Sequence, residues 1–315
     1  MFIVEFFQNN MLILQGAVSL GLIFSLMAIG VFMAFRILEM PDLSVEGSII
    51  LGAGTSARLI SNGVNPFLAT FIAMLVGSAA GFVTGFLHTK LKIPSILAGI
   101  LTMVASYSVV IRIMTTNNIH MLTIGPQRVT TVFTFLTEAG LSRSNANILL
   151  AFVIAVLAGS LLYCFMGTEF GSAIRATGNN RQMVKAQGIN TDIMIIACLM
   201  ISNSMVALSG ALWAQQMGFA SVDMGTGTIV IGLASVIIAE VIFRPRRFWT
   251  YLIAIAIGSI IYRLIIAYAL SVDFMDSTDL NLITAAIVAF ALVLPLIRDK
   301  TYKYIPKFNS NKGGA

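Results

Sequence analysis

Charge is what this chain has least of. Only 10% of its 315 residues are Asp, Glu, Lys or Arg, against 58% hydrophobic, and the mean hydropathy is +0.93. Soluble domains carry about 25% charged residues, so a soluble domain is excluded and a polytopic membrane protein is left. Cysteine is nearly absent. Cys164 and Cys198 both fall inside apolar runs, which excludes a disulfide framework and makes packing their role. The two histidines, His88 and His120, stand far apart with no ligand pattern around them, so no metal site is expected. Gly-x-x-x-x-Gly-Lys-Ser/Thr, His-Glu-x-x-His and Gly-x-Ser-x-Gly are all missing. The chain therefore does not hydrolyse ATP by a P-loop mechanism, no catalytic residue is assigned, and no cofactor is expected. Gly52-Ala-Gly-Thr-Ser-Ala57 has dinucleotide-fingerprint spacing, but it lies in an apolar run without the strand-turn-helix context that gives the motif meaning.

What is there, in quantity, is apolar sequence. A membrane span needs about 20 mostly apolar residues, and runs at 11–35, 47–62, 66–88, 93–113, 148–166, 193–214, 227–243, 249–271 and 282–297 qualify. The expectation is an all-α, polytopic transmembrane helix bundle of about nine spans, forming one domain over 1–315. The second and seventh runs are short and polar at one end, which marks them as broken or re-entrant segments. In the third, Ala73, Gly77, Gly81 and Gly85 recur every four residues and make a smooth stripe for close helix packing.

Cations set the orientation. With the tail bearing Arg298, Lys300, Lys303 and Lys307 inside, Arg36, Lys90, Lys92, Arg175, Arg181, Lys185, Arg244, Arg246, Arg247 and Lys312 are inside as well. Only Arg128 and Arg143 then fall in an outer loop. This positive-inside bias puts the N-terminus outside and the C-terminus inside. Residues 1–10 lack a basic n-region, so no cleaved signal is expected. The net charge of +6 follows from this topology and does not point to nucleic acid.

Polar residues near the spans need a reason to be there, because a charge at the bilayer centre costs about 2.5–3.5 kcal/mol on insertion scales. In Glu39-Met-Pro-Asp-Leu-Ser-Val-Glu46, Pro41 interrupts any continuous helix, and Asp42 or Ser44 can cap the segment that follows. Asp42, Ser44 and Glu46 then either line a watery solute path or sit at the cytoplasmic interface. Asn203, Gln215 and Gln216 in the sixth run admit the same pair of readings, solute contact or interhelical hydrogen bonding. Glu240 is close in sequence to Arg244-Pro-Arg-Arg247, which suggests a local ion pair, and Arg263 needs either an interface or an acidic partner.

Residues 167–192 form the one soluble-looking stretch inside the oily chain. Gly171, Gly178 and Gly188 punctuate it, Asn179 or Asn180 can cap a helix over Arg181–Gln187, and Gly188 can stop that helix. Arg175, Arg181 and Lys185 make it basic. It reads as a cytoplasmic docking element of two short helices, or as a plain solvated loop.

Two of these stretches carry a resemblance. Pro41-Asp-Leu-Ser-Val-Glu-Gly47, and Phe170-Gly-x-Ala-x-Arg-Ala-x-Gly178 followed by Ala186-x-Gly188-Ile189, resemble the membrane permeases of bacterial ABC importers of the branched-chain amino acid and ribose kind. The likeness spans almost the whole chain, although Glu46 is an extra residue before Gly47. Phe35-Arg-Ile-Leu-x-Met-Pro-Asp-Leu-Ser-x-Glu-Gly47, Lys92-Ile-Pro-x-Ile-Leu-Ala-Gly-Ile-Leu101, Ala211-Leu-x-Ala-Gln-Gln216 and Val230-Ile-Gly-Leu-Ala-Ser-x-Ile-Ile-x-Glu-Val-Ile-Phe243 are similar to the subgroup that includes tryptophan/tyrosine uptake permeases of Gram-positive bacteria.

The resemblance implies a type II ABC importer-like bundle in the bacterial inner membrane, working as a homodimer with two cytoplasmic ATP-binding-cassette ATPase subunits and an outer solute-binding protein. ATP would be used by the partner subunit. Gly171, Arg175, Gly178, Arg181 and Gly188 would then serve ATPase coupling, and Arg128 and Arg143 would meet acidic residues of the binding protein. The solute class implied is amino acid, leaning aromatic or hydrophobic. The rival reading is a self-sufficient secondary transporter or channel in which Glu46, Asp42 or Arg263 couples solute to an ion.

Overall fold

The computed structural model describes residues 11–121, 130–138, 140, 142–270, 286 and 289. Helix α1, Met11–Phe32, runs on into a π-helical turn, Met33–Ile37, and the chain then breaks through Leu38–Leu43 before α2, Ser44–Ser61. After α2 come α3, Pro66–Thr89, and α4, Ser95–Met114. Strand β1, Asn118–His120, and the short α5, Thr134–Glu138, lead to the long α6, Arg143–Met166. Two small helices follow, α7, Glu169–Asn179, and α8, Arg181–Ala186. The remainder is α9, Thr191–Met217; β2, Phe219–Ser221; a 3-10 turn, Val222–Gly225; α10, Thr228–Phe243; and α11, Phe248–Leu270. Seven helical segments among the described residues have the length and apolar composition to cross a membrane. The second run is also helical but is interspersed with Ser, Thr and Gly, and the ninth run, 282–297, lies outside the described residues apart from Ala286 and Ala289.

The helix ends fall where side chains can satisfy the free amides. Asn65 accepts from Phe67 N at 2.9 Å with Pro66 as the first helical residue, and Asn190 accepts from Asp192 N and Ile193 N at 3.1 and 3.4 Å. Gly218, with φ of 79°, stops α9. Next to that stop β1 and β2 pair antiparallel, Ile119 opposite Ala220, tying the end of α4 to the end of α9.

At the centre α9 is clasped by α1, α2 and α3. The glycine stripe of α3 provides one contact: a methyl at Gly81 would meet Leu199 O, one at Gly77 the Ala207 Cβ, and one at Gly85 the Ile196 Cα at 2.9 Å. The stripe is therefore a helix-packing surface, as its spacing suggests. Gly52 on α2 lies against Ala207, and Gly210 on α9 lies against Ile49 O. Serines lock α9 to α1, with Ser202 Oγ donating to Gly30 O at 2.7 Å and Ser209 Oγ to Ile23 O at 2.8 Å. By contrast α6, at the periphery, exposes Phe152, Val153, Val156, Leu157 and Leu161, as a helix facing lipid does. Replacing Gly81 by alanine is expected to cost about 1–3 kcal/mol through overpacking, because the opposing atom is backbone and has no rotamer to adopt. Thermal unfolding in detergent measures this, and a neutral result would mean that α3 and α9 slide freely.

Candidate functional site

The break before α2 carries the site. The π turn closes with Leu38 N donating to Met33 O at 3.1 Å and Met40 N to Ala34 O at 3.0 Å. Glu39 then takes φ of 52°, and Pro41 prevents the helix from resuming. This delivers Asp42 to a fully enclosed position beside Asn203, about 18 Å along α9 from Thr191. Asp42 Oδ1 accepts from Ser44 N at 2.8 Å and from Ser44 Oγ at 2.6 Å, while Oδ2 accepts from Asn203 Nδ2 at 2.9 Å. Asn203 Nδ2 also donates to Leu199 O at 3.1 Å, and its Oδ1 accepts from Ser48 Oγ at 2.6 Å. Asp42, Ser44, Ser48 and Asn203 are each 0% exposed.

The amide orientation of Asn203 follows from these partners, since both acceptors lie on one side and a hydroxyl donor on the other. Gly99 lets α4 close over the node, because a methyl there would sit 2.7 Å from Leu43 N. Chemically the node is a saturated polar lock between the start of α2 and the middle of α9.

Glu46 lies one turn further on and serves a different element. Its Oε1 accepts from Gly227 N at 3.0 Å, and Gly225 packs on its backbone oxygen. Gly227, with φ of 76°, is the residue from which α10 starts. The short helices α2 and α10 thus begin side by side, each with a carboxylate at its N-terminus: Asp42 for α2 and Glu46 for α10. An acidic group at that end is favoured by the helix dipole. Both runs that the sequence marks as broken or re-entrant begin here.

The remaining residues expected at the site divide between two other places. Gln215 is buried at the far end of α9, where Nε2 donates to Thr70 Oγ1 at 2.7 Å and Oε1 accepts from Val132 N at 3.1 Å. It ties α3 to the segment before α5, and neither it nor Gln216 reaches the node, because both are about 18 Å or more beyond Asn203 along the helix. Arg143 is exposed at the first position of α6, and Arg128 lies outside the described residues. Glu240 pairs with Arg36 of the π turn at 2.7 and 3.0 Å, not with the Arg244–Arg247 cluster. This pairing is out of sight in the sequence because Arg36 and Glu240 are more than 200 residues apart and only the packing of α10 on α1 brings them together.

The stretch 167–192 folds as two capped helices. Thr168 accepts from Gly171 N at 3.2 Å to start α7, Asn180 from Met183 N at 3.0 Å to start α8, and Gly188 with φ of 82° follows the end of α8. One face is buried, with Ile174, Thr177 and Val184 inward. Gly171 sits on Met166 at the end of α6, and Gly178 sits on Ile37 O, the last residue before the break. Arg181 turns inward, towards Met40 Sδ at 3.4 Å and His88 Nε2 at 3.5 Å. Arg175 and Lys185 face outward.

The family described as branched-chain amino acid transport system / permease component matches residues 13–296. The chain belongs to that family. This permease is 41% identical to a tyrosine transport system permease protein of Clostridioides difficile, over 93% of this chain and 96% of that one. It is 29% identical to an uncharacterized protein of Rickettsia prowazekii, over 89% and 96% of the two chains. The autoinducer 2 import system permease protein LsrC of Yersinia enterocolitica shares 30% identity over 69% of this chain and 57% of its own. The permease is thus a multi-pass membrane subunit of a transport system. Two further residues of the node are Ser48 and Gly99; Gly99 falls within the Lys92–Leu101 stretch that carries the subgroup likeness, but nothing in the sequence says that it closes over Leu43. The one available signal for Ser48 is its position four residues after Ser44, on the same helix face.

Proposed function

We propose that this permease is the membrane subunit of an ATP-binding-cassette importer in the bacterial inner membrane. It moves an amino acid inward, with an aromatic one favoured by the tyrosine-transport relative. The N-terminus faces out and the C-terminus in, a reading that the distribution of cations supports. Power comes from a separate cytoplasmic ATPase, solute from an outer binding protein, and the transport path forms with a second copy of the chain. Asp42, Ser44, Glu46 and Asn203 are assigned to the path and its gate. Gln215 and Gln216 take the outer end of α9, and Arg128 and Arg143 the contact with the binding protein.

One observation carries this reading. The α7–α8 pair buries one face on Ile37 and Met40, at the break that leads to Asp42, and leaves Arg175 and Lys185 exposed on the other. A partner gripping the exposed face would therefore pull directly on the connection into the polar node, as a rigid-body lever. Gly171 and Gly178 set the fit of that lever, Arg181 anchors it and Gly188 ends it, so these residues act in coupling and not in catalysis.

The test is co-expression with an ATPase encoded beside the chain, followed by purification and uptake into vesicles. Replacing Arg175 by glutamate is expected to leave the chain folded and to lower ATP-driven uptake by about tenfold or more, since a reversed charge at an interface costs over about 1.4 kcal/mol. Unchanged uptake would remove the lever from the mechanism. A chain that moves solute under an ion gradient with no ATPase present would establish a secondary transporter instead.

A further inference from the structure

Two charged side chains of the bundle have no part in the polar node. Arg263 of α11 rests on the Phe24 ring, its guanidinium carbon 3.8 Å from the centroid, and so meets an aromatic face in place of an acidic partner. Glu240 is the more informative of the two. It stands in the last turn of α10, where the helix dipole opposes a carboxylate. Arg244, Arg246 and Arg247 follow closely in sequence, yet none of them makes an ion pair among the described residues. The carboxylate goes instead to Arg36, whose Nε donates to Oε1 at 2.7 Å and whose Nη2 donates to Oε2 at 3.0 Å. Such a two-bond fork fixes orientation as well as distance.

Each partner is attached to something that gives the pair a use. Arg36 belongs to the π turn Met33–Ile37, and its neighbour Ile37 carries the backbone oxygen on which Gly178 of α7 sits. A π turn is a short, weakly bonded piece of helix that often marks a functional site. Glu240 belongs to α10, which packs on α1 through Gly232, where a methyl would lie 2.8 Å from Val31 Cγ2. About 20 Å along the helix from Glu240, Gly227 N donates to Glu46 Oε1 at 3.0 Å, and Gly225 packs on the Glu46 backbone oxygen. α10 is therefore a rod with a side-chain link at each end, Arg36 beside the lever and Glu46 beside the node.

We propose that the Arg36–Glu240 pair is a second coupling contact, which carries movement of the α7–α8 lever into α10 and through α10 to Glu46, so that both broken segments move on one stroke. Arg36 and Glu240 are positioning residues in this scheme and touch neither solute nor ATP. The assignment rests on the lever reading of α7–α8, and the experiment separates the two. The full-length chain, with Cys164→Ser and Cys198→Ala, is assembled with the ATPase encoded beside it in nanodiscs, labelled copies being diluted into unlabelled ones. Spin labels are placed by cysteine substitution at Leu68 on the first turn of α3, together with either Gln187 at the end of α8 or Ile242 at the end of α10, all three exposed. Double electron–electron resonance is recorded without nucleotide and with ATP trapped by vanadate. Both distances are expected to shift with nucleotide when the pair is intact. In Arg36→Gln and in Glu240→Gln the Gln187 shift is expected to persist and the Ile242 shift to be lost, with the ATPase still co-purifying. The melting temperature is expected to stay near that of the parent chain, because an exposed ion pair adds little to stability. Arg36→Glu combined with Glu240→Arg is expected to regain at least part of the Ile242 shift. The proposal is overturned if Ile242 still follows nucleotide in both neutral variants, which makes the pair an ordinary surface contact. It is also overturned if only one of the two variants loses the shift, since that residue then acts without the other. A Gln187 label that stays still with the pair intact sinks the lever and this assignment with it, whereas a Gln187 label that moves while Ile242 does not sinks this assignment alone.

Discussion

Replacing Asn203 by leucine is expected to destabilise the permease by about 3 kcal/mol. The leucine has nearly the same volume, so the loss is polar. Asp42 Oδ2 loses the amide that donates to it, and Ser48 Oγ loses its acceptor, in a place where neither is exposed. Each buried polar group left unmet costs about 1–3 kcal/mol, and more if charged. Ordinary hydrogen bonds between membrane helices average only about 0.6 kcal/mol, so a result near that figure would mean that water enters the node and replaces the lost bonds. The double change Asp42→Leu with Asn203→Leu removes both sides of the pair and is expected to be less damaging than the sum of the singles, by at least about 1 kcal/mol. Thermal unfolding in detergent gives these values. Uptake measured at a temperature where the variants remain folded separates the two roles of the node. If solute preference is unchanged in Asn203→Leu, Asn203 is a lock only; if it shifts, the node also touches solute.

The bundle itself was legible because its cause is compositional. Apolar runs bounded by Asn, Pro and Gly at their ends place eight of the nine expected spans on observed helices, seven of them long and apolar enough to cross a membrane, with ends displaced by at most five residues. The breaks before α2 and α10 were legible for the same reason: Pro41 and Gly227 have local conformational consequences that require no knowledge of partners. Asn180 as the cap of α8 and Gly188 as its end were equally local.

What could not be read was who meets whom. Asp42 and Asn203 each stand out in the sequence as polar residues that need a reason, yet nothing in a sequence says that they are each other's reason across 161 positions. Arg36 with Glu240 and Gln215 with Thr70 are of the same kind. Arg181 and Arg175 read alike in the sequence, both basic and near each other, but the helical offset between α7 and α8 turns one inward and leaves the other out. Periodicity within a short two-helix unit with a bend between them does not transmit phase from one helix to the next.

The larger functional effect is expected at Gly178. Replacing it by valine puts a Cβ on Ile37 O, a backbone atom at the end of the π turn. No rotamer change relieves that contact, so α7 must lift from the bundle or the turn must move. Overpacking of this kind costs about 1–3 kcal/mol, which leaves the chain folded while separating the lever from the break. Uptake by the assembled transporter is therefore expected to fall by more than about tenfold, while ATP hydrolysis continues, because the outer face of α7 with Arg175 is untouched. Arg175→Glu should show the opposite pattern, with loss of the ATPase contact itself. Measuring hydrolysis, uptake and co-purification on the two variants side by side distinguishes grip from transmission. If Gly178→Val supports normal uptake, the contact between α7 and Ile37 carries no motion, and the pull on Asp42 must come through Arg181 and Met40 instead. The charge-removing change Arg181→Met, which keeps much of the side chain's length, would then be the variant that uncouples transport.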